Sequence, residues 1–237
     1  MAAAEIEVRK LAAGYGATRI VEDVSLLVPA GSRLSVLGRN GMGKTTLLAS
    51  LMGLTQRHAG EIILDGVDVS AFRPSARAAK GFGYVPQTRD VFPSLTVEEN
   101  LVAGQKGRPR DELEEAYAMF PRLKERRKNL GGQLSGGEQQ MLSTARAILG
   151  RPTALLMDEP LEGLAPIICD ELMASFDRLA ASRQMTFVLV EQQIERALDF
   201  ADDVIILERG RIAWSGKPRV LRQDQALIER YIGIGIH

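Results

Sequence analysis

The nine residues Gly38-Arg39-Asn40-Gly41-Met42-Gly43-Lys44-Thr45-Thr46 constrain this chain more than any other stretch. They fit the pattern G-x-x-x-x-G-K-[ST] and lie between an apolar run, Arg33 to Leu37, and a helix-forming run that ends at Gly53. That is the strand–loop–helix setting the pattern needs. Glycines let backbone N–H groups turn inward around phosphate oxygens, and the start of the following helix adds positive potential. Lys44 is placed to reach β- and γ-phosphates, and the Thr45 hydroxyl to ligate Mg²⁺. The loop means nucleotide binding; by itself it says neither which nucleotide nor what work.

The runs around the loop set the fold class. Ile6 to Leu11 and Val24 to Val28 read as the first strands, divided by a turn at Gly14-Tyr15-Gly16. Glu61 to Leu64 and Val67 to Val69 flank Asp65-Gly66, a strong hairpin signal, and Gly81 to Val85 is a further strand. From Thr96 to Leu149 strand character is nearly absent, and Thr96-Val97-Glu98-Glu99 opens that stretch with a capping-box pattern. Alternation then resumes. Strands are expected at Thr153 to Met157, Thr186 to Val190 and Asp203 to Leu207, with a helix over Ile167 to Ala181. A late hairpin arm follows at Arg211 to Ser215 and a terminal helix at Gln225 to Ile232. Strands alternating with helices predict an α/β fold whose mostly parallel sheet is covered on both faces. The helical stretch is expected as an insertion, at about residues 88–150, in a single domain spanning 1–237.

Ala154-Leu155-Leu156-Met157-Asp158-Glu159 is an apolar strand with two adjacent carboxylates at its C-terminal end, where open α/β sheets bind ligands. Beside a phosphate loop, Asp158 is expected to hold Mg²⁺ largely through water, because that ion keeps much of its hydration shell. Glu159 is expected to orient and deprotonate an attacking water.

Leu134-Ser135-Gly136-Gly137-Glu138-Gln139-Gln140 narrows the class. Ser135 and Glu138 have capping-box spacing, so the segment begins a helix with free N–H donors. The Ser135 hydroxyl can accept from its own helix while donating to a phosphate oxygen. Gly136 and Gly137 keep side chains out of the way. The segment closely resembles the signature sequence of ABC ATPases, and the match runs in order over nearly the whole chain. The resemblance implies a P-loop NTPase (RecA-like) core with a mostly parallel sheet, an antiparallel β subdomain and the inserted α-helical subdomain. It implies ATP held by the loop residues Gly38, Arg39, Asn40, Gly41, Met42, Gly43, Lys44, Thr45 and Thr46, with Tyr15 stacked on adenine. Gln87, in Tyr84-Val85-Pro86-Gln87, looks like the Q-loop glutamine that reaches nucleotide and Mg²⁺. Ser135, Gly136 and Gly137 would face the γ-phosphate bound to a second ATPase subunit. One chain carries one phosphate loop and one signature, so a complete site is expected to need that partner, either another copy or a related chain.

Two segments depart from the family pattern. Most ABC ATPases carry a switch histidine after the strand that follows the acidic one. Here that strand ends Val188-Leu189-Val190-Glu191, the next residue is Gln192, and the only histidines are His58 and His237. Gln192 is expected to act by hydrogen bonding, donating to a γ-phosphate oxygen and accepting from the attacking water or a partner backbone. Pro160-Leu161-Glu162-Gly163-Leu164-Ala165-Pro166 lacks the usual D-loop serine and aspartate. Glu-Gly-Leu-Ala-Pro together with Val-Glu-Gln resembles one ATPase subunit of the branched-chain (hydrophobic) amino-acid importers; a urea and short-amide importer subunit is similar. The resemblance implies Mg²⁺-dependent ATP hydrolysis at the cytoplasmic face of the inner membrane. Two membrane permeases, and indirectly an extracytoplasmic solute-binding protein, would be the partners.

Composition agrees with that picture. Thirty basic residues balance thirty acidic ones, which argues against nucleic acid as a partner. No run approaches the roughly 20 apolar residues a spanning helix needs, and MAAAEIEVRK lacks the apolar core of a signal peptide. Cys169, the one cysteine, allows no internal disulfide and fits a reducing compartment. Cys169 and the eight methionines read as core or helix residues, and Arg126, Arg127 and Lys128 as a solvated helix face. Two other classes compete. A soluble ABC ATPase acting on ribosomes or DNA usually has two ATPase units or long coiled coils, both missing here. A regulatory module without turnover is argued against by Glu159.

Overall fold

The computed structural model describes residues 2–105, 109 and 112–233; His237 lies outside them. Two sheets form the frame. The first is antiparallel throughout, in the order β2-β1-β4-β5, and contains β1 (Ile6–Tyr15), β2 (Thr18–Val28), β4 (Gln56–Leu64) and β5 (Val67–Asp68). The second runs β10-β9-β3-β8-β7-β6: β3 (Arg33–Leu37), β6 (Phe82–Val85), β7 (Ala154–Asp158), β8 (Thr186–Val190), β9 (Asp203–Glu208) and β10 (Arg211–Gly216). All its pairings are parallel except β9 with β10. The α/β class, the mostly parallel sheet and the separate antiparallel sheet agree with the sequence reading.

Alternation along the central strands shows why they read as continuous apolar runs. On β7, Ala154 and Leu156 join one core cluster with α1 (Lys44–Met52) and the antiparallel sheet, through Leu47, Leu48, Leu51, Ile6 and Ile62. Leu155 and Met157 join the other, with α6 (Gly136–Leu149) and α7 (Pro166–Ala181), through Met141, Leu142, Leu172 and Phe176. β8 divides the same way, Val188 and Val190 against Phe187 and Leu189. A strand covered on both faces has no polar side to show.

Several boundaries differ from expectation, most by one residue, and β4 begins at Gln56 instead of Glu61. β1 and β2 run on to Tyr15 and from Thr18, so Gly14 lies inside a strand. A Cβ there would stand 2.0 Å from the Thr18 carbonyl oxygen; the glycine serves close backbone approach, and the turn itself is shorter. α5 (Pro121–Glu125) ends before Arg126, so Arg126, Arg127 and Lys128 are exposed in a turn rather than on a helix face. Short helices α2 (Pro74–Lys80), α8 (Ile194–Phe200) and α9 (Pro218–Gln223) carry too few turns for a clear period. The remaining helices are α3 (Val97–Gly104), α4 (Leu113–Met119) and α10 (Gln225–Tyr231). The expected capping box opens α3: Thr96 accepts from Glu99 N–H at 3.2 Å, and Glu99 accepts from Thr96 N–H at 2.7 Å. The Asp65-Gly66 hairpin turn has both residues at positive φ, 49° and 74°. No helix among the described residues is long and apolar enough to cross a membrane.

A further tie, with no signature in the sequence pattern, is Arg77, 3% exposed. Its guanidinium donates to the carbonyls of Ser50 and Leu51 at the end of α1, and to those of Ser70 and Phe72 before α2, at 2.7–3.0 Å. It closes the open carbonyls of the phosphate-loop helix. Arg77→Leu strands those acceptors in the interior. The expected loss is roughly 3 kcal/mol, read as a fall in Tm of about 6–12 °C for a chain of this size; a fall under about 2 °C would mean the bonds carry no net stability.

Candidate functional site

The parallel strands release their loops at one edge of the sheet, and the groups singled out by sequence gather there. β3 ends in the phosphate loop. Gly38 has φ 141°, and a Cβ on it would lie 2.4 Å from the Leu207 carbonyl oxygen of β9, so only glycine fits. The loop closes on Gly43, which caps α1 at φ 98°. Lys44, 4% exposed, folds back under the loop: its Nζ donates to the carbonyls of Gly38 at 2.9 Å and Arg39 at 3.2 Å.

β7 delivers the two acids. Asp158 is fully buried and accepts from the Thr45 hydroxyl at 3.1 Å and from the Tyr84 hydroxyl at 3.3 Å. Burial, reinforced by the Glu159 charge and opposed by the Thr45 bond, pushes its carboxyl up to about 6. Burial and the same carboxylate raise the Tyr84 hydroxyl well above its ordinary value. Glu159 leaves the strand at φ 47°, an uncommon conformation for a side-chain-bearing residue, and this turns its carboxylate inward. Its Oε1 lies 3.5 Å from Lys44 Nζ. Its Oε2 accepts from Gln192 Nε2 at 2.5 Å and, more loosely, from Gln87 Nε2 at 3.4 Å. Gln87 also donates to Glu162 Oε2 at 2.6 Å.

These groups line a cleft of about 400 Å³. Asn40, Gly41, Gly43, Lys44, Thr45 and Thr46 stand on the loop side, with Gln87, Glu159, Glu162 and Gln192 opposite. Gly38 and Arg39 reach it through the carbonyls that hold Lys44, and Asp158 through Thr45. Met42 points elsewhere: its carbonyl and sulfur accept from Gly210 and Arg209 in the β9–β10 turn. Tyr15 is half exposed at the end of β1 and is not among the lining residues; Ile20 on β2 is. Ser135, Gly136 and Gly137 also lie off the cleft, at the start of α6, where the Ser135–Glu138 capping box is formed as expected. Gln192 donates to Glu159, a partner the sequence reading did not name.

Three participants were missed: Ile20, Tyr84 and Glu191. The first two had no signal beyond position. Glu191, one residue before Gln192, is 2% exposed. Burial, with the Glu159 charge, pushes its carboxyl up to about 7 against the pull of backbone N–H groups from Gln192, Gln193 and Leu161. As a chemical array, the cleft has glycine backbone and an ammonium for phosphate oxygens. Beside them are a hydroxyl and a carboxylate of the kind hard divalent cations take, and a carboxylate oriented by two amides. Among the described residues no group of three or more His, Cys, Asp or Glu could hold a metal alone.

Known proteins sharpen this picture. The ABC transporter family matches residues 21–162. A probable branched-chain amino acid transport ATP-binding protein, LivF of Archaeoglobus fulgidus, is 36% identical, covering 95% of this chain and 97% of the relative. The high-affinity branched-chain amino acid transport ATP-binding protein BraG of Pseudomonas aeruginosa is 38% identical over 94% and 97%. The lipopolysaccharide export ATP-binding protein LptB of Haemophilus influenzae is 33% identical over 94% and 95%. A nucleotide-free ATP-binding cassette from an ABC transporter superposes with a TM-score of 0.84 at 22% identity, covering 98% of this chain and all of that one, which supports the fold.

The buried Glu191 carboxyl gives a pH prediction. Its folded value, about 7, lies above its ordinary 4.5, so folding favours the neutral form. The stability from this group is full below the unfolded value and is lost as pH rises toward 7. Glu191→Gln, permanently neutral, should melt close to the parent near pH 5 and several degrees above it near pH 8. Equal melting near pH 8 would show that the carboxyl is not buried as placed.

Proposed function

The chain belongs to the ABC transporter family, and from that membership we propose that it powers import of branched-chain or other hydrophobic amino acids. It is an ATP-binding subunit whose ATPase activity is coupled to transport; the solute is the proposed step. One observation carries it: two relatives named for branched-chain amino acid transport match at 36% and 38% identity over nearly the full length of both chains. The Glu162-Gly163-Leu164-Ala165-Pro166 and Val190-Glu191-Gln192 segments point the same way.

At the site, Lys44 and the loop N–H groups bind and orient the β- and γ-phosphates of ATP. Thr45, Asp158 and Gln87 would hold Mg²⁺, which supplies charge neutralisation on the phosphate oxygens. Glu159 takes the proton from the attacking water. Gln192, donating to Glu159 Oε2, fixes the carboxylate so that its remaining lone pairs face that water. A titratable switch residue is not needed for this role. Tyr15 would lie beside the base, and Ser135, Gly136 and Gly137 would close over the γ-phosphate of the partner subunit. ABC importer ATPases dimerise and work with membrane permeases. Here two permeases and an extracytoplasmic solute-binding protein complete the machine, with this chain on the cytoplasmic face of the inner membrane.

The solute test is reconstitution with the cognate permeases and binding protein. Hydrolysis should rise, and labelled solute accumulate, with leucine, isoleucine or valine. Stimulation by urea or by a lipid, with none by these amino acids, overturns the solute reading while leaving the ATPase intact. The site is tested by two substitutions. Glu159→Gln should bind ATP, scarcely hydrolyse it, and accumulate as a dimer on size-exclusion chromatography. Gln192→Ala loses a bond to a charged group, roughly 1.5–3 kcal/mol, so turnover should drop about ten- to a hundredfold. Turnover within twofold of the parent, with any second site disabled, would end the hydrogen-bond role.

A further inference from the structure

Glu162 belongs to the segment that departs from the family pattern, and two residues of a second loop hold it. The chain after Glu159 folds back in one turn, the Glu162 N–H donating to the Glu159 carbonyl at 3.1 Å. Both acids then line the cleft together with Gln87. Gln87 and Arg89, in the loop that follows β6, grip residue 162 by its side chain and by its main chain. Gln87 Nε2 donates to Glu162 Oε2 at 2.6 Å, and the Arg89 guanidinium to the Glu162 carbonyl at 3.2 Å. The same Gln87 nitrogen lies 3.4 Å from Glu159 Oε2, an oxygen that Gln192 already occupies. The gripping loop is itself a tight turn. The Arg89 N–H donates to the Pro86 carbonyl at 3.1 Å, Arg89 adopts φ 66°, and the Thr88 hydroxyl donates to Asp90 at 2.8 Å.

An ionised carboxylate can only accept, so it dictates which end of an amide faces it. With Glu162 and Glu159 as its neighbours, Gln87 presents its N–H₂ to the acids, and its carbonyl oxygen is the end left over. Oxygen is what a hard divalent cation takes. Without Glu162 the amide keeps only the longer, shared contact to Glu159 and is free to turn over. We propose that Glu162 is a positioning residue for the cation: its carboxylate holds the Gln87 nitrogen and so leaves the Gln87 oxygen available to Mg²⁺. The proposal rests on the reading of Gln87 as a Mg²⁺ contact in the ATP site. Losing a group that orients a metal contact costs about ten- to a hundredfold in metal affinity. Glu162 is exposed, and competing water places its effect at about the lower figure.

Mn²⁺ in place of Mg²⁺ allows cation affinity to be read by EPR without turnover, in protein saturated with a non-hydrolysable ATP analogue. Glu162→Ala should weaken Mn²⁺ by about tenfold and leave the analogue's affinity in EDTA within about twofold of the parent. Glu162→Gln, which offers Gln87 an acceptor oxygen without the charge, should stay within about threefold of the parent. Gln87→Ala should weaken Mn²⁺ to the same extent with or without Glu162→Ala, because Glu162 acts only through Gln87. Independently of any cation, the Gln87 side-chain N–H₂ resonance of the nucleotide-free protein should shift in Glu162→Ala. An unmoved resonance, or unchanged Mn²⁺ affinity in Glu162→Ala, overturns the proposal. So does a further loss in the double variant, which would make Glu162 a cation contact in its own right. Glu162→Gln behaving as Glu162→Ala overturns it too, by assigning the effect to charge alone. If Gln87→Ala itself leaves Mn²⁺ affinity unchanged, the reading of Gln87 fails first and the proposal with it, an outcome distinct from failure at Glu162 alone.

Discussion

Lys44 and Glu159 are almost withdrawn from water, at 4% and 6% exposure, and their charged groups lie 3.5 Å apart. A buried ion pair is a weak source of stability, because desolvating both ions offsets most of their attraction. Losing one member is a different matter, since the other is left as an uncompensated buried charge. The neighbouring polar groups are arranged accordingly. Two loop carbonyls accept from the ammonium, and two side-chain amides donate to the carboxylate. In the proposed reaction a γ-phosphate entering the loop would compete with Glu159 for the ammonium and so free the carboxylate to act on water. The pair in turn depends on strand order. β3 and β7 flank β8, so the phosphate-loop helix, the acidic turn and the Gln192 loop leave three neighbouring strands at the same edge.

The charge balance at this edge explains why a cation belongs to the chemistry. Asp158, Glu159 and Glu191 lie at the ends of adjacent strands, and of the acids only Glu159 and Glu162 line the cleft, with Lys44 as its cationic side chain. Burial is the main cause of the upward push on Asp158 and Glu191, and the Glu159 charge adds to it. A triphosphate adds further negative charge to the same volume. A divalent ion held by Thr45 and Asp158 would offset that charge and favour the ionised carboxylate of Asp158.

Much of this was legible in the sequence, and the limits have physical causes. Arg33–Leu37 and Thr186–Val190 are bounded in the structure as in the sequence reading, because both strands are mostly apolar, are buried on two faces and end at an abrupt glycine or polar residue. The loop, the acid pair and both capping boxes were readable because each is a local pattern with a local reason. Gly14 misled, since a glycine chosen for close backbone contact looks the same as a turn glycine until its neighbour Thr18 is seen. Arg77 was invisible: its partners are main-chain carbonyls, which carry no residue identity. Glu191 sat in plain view within Val-Glu-Gln, but its burial follows from packing between α7 and β8. Tyr15 carried a role by family likeness alone, and the geometry of the isolated chain does not bring it into the cleft.

The start of α6 stands apart from that cleft, and the separation is informative. Its capping box uses the Ser135 side chain to satisfy the Glu138 N–H and the Glu138 side chain to satisfy the Ser135 N–H. The N–H groups of Gly136 and Gly137 belong to the first helical turn, which has no intrahelical acceptor to offer them. They form a rigid donor surface with the positive end of a 14-residue helix behind it. The cleft has the opposite character, with acids and amides around one ammonium. Within one chain the donor surface and the phosphate loop do not share a cavity. In the proposed dimer, two chains, or a chain and a related subunit, placed head to tail would bring each donor surface over the other's cleft. ATP would then be part of the interface, and its hydrolysis would remove the charge that holds the two halves together. Motion would follow from that loss, because an interface closed by a γ-phosphate has less reason to stay closed once the phosphate leaves.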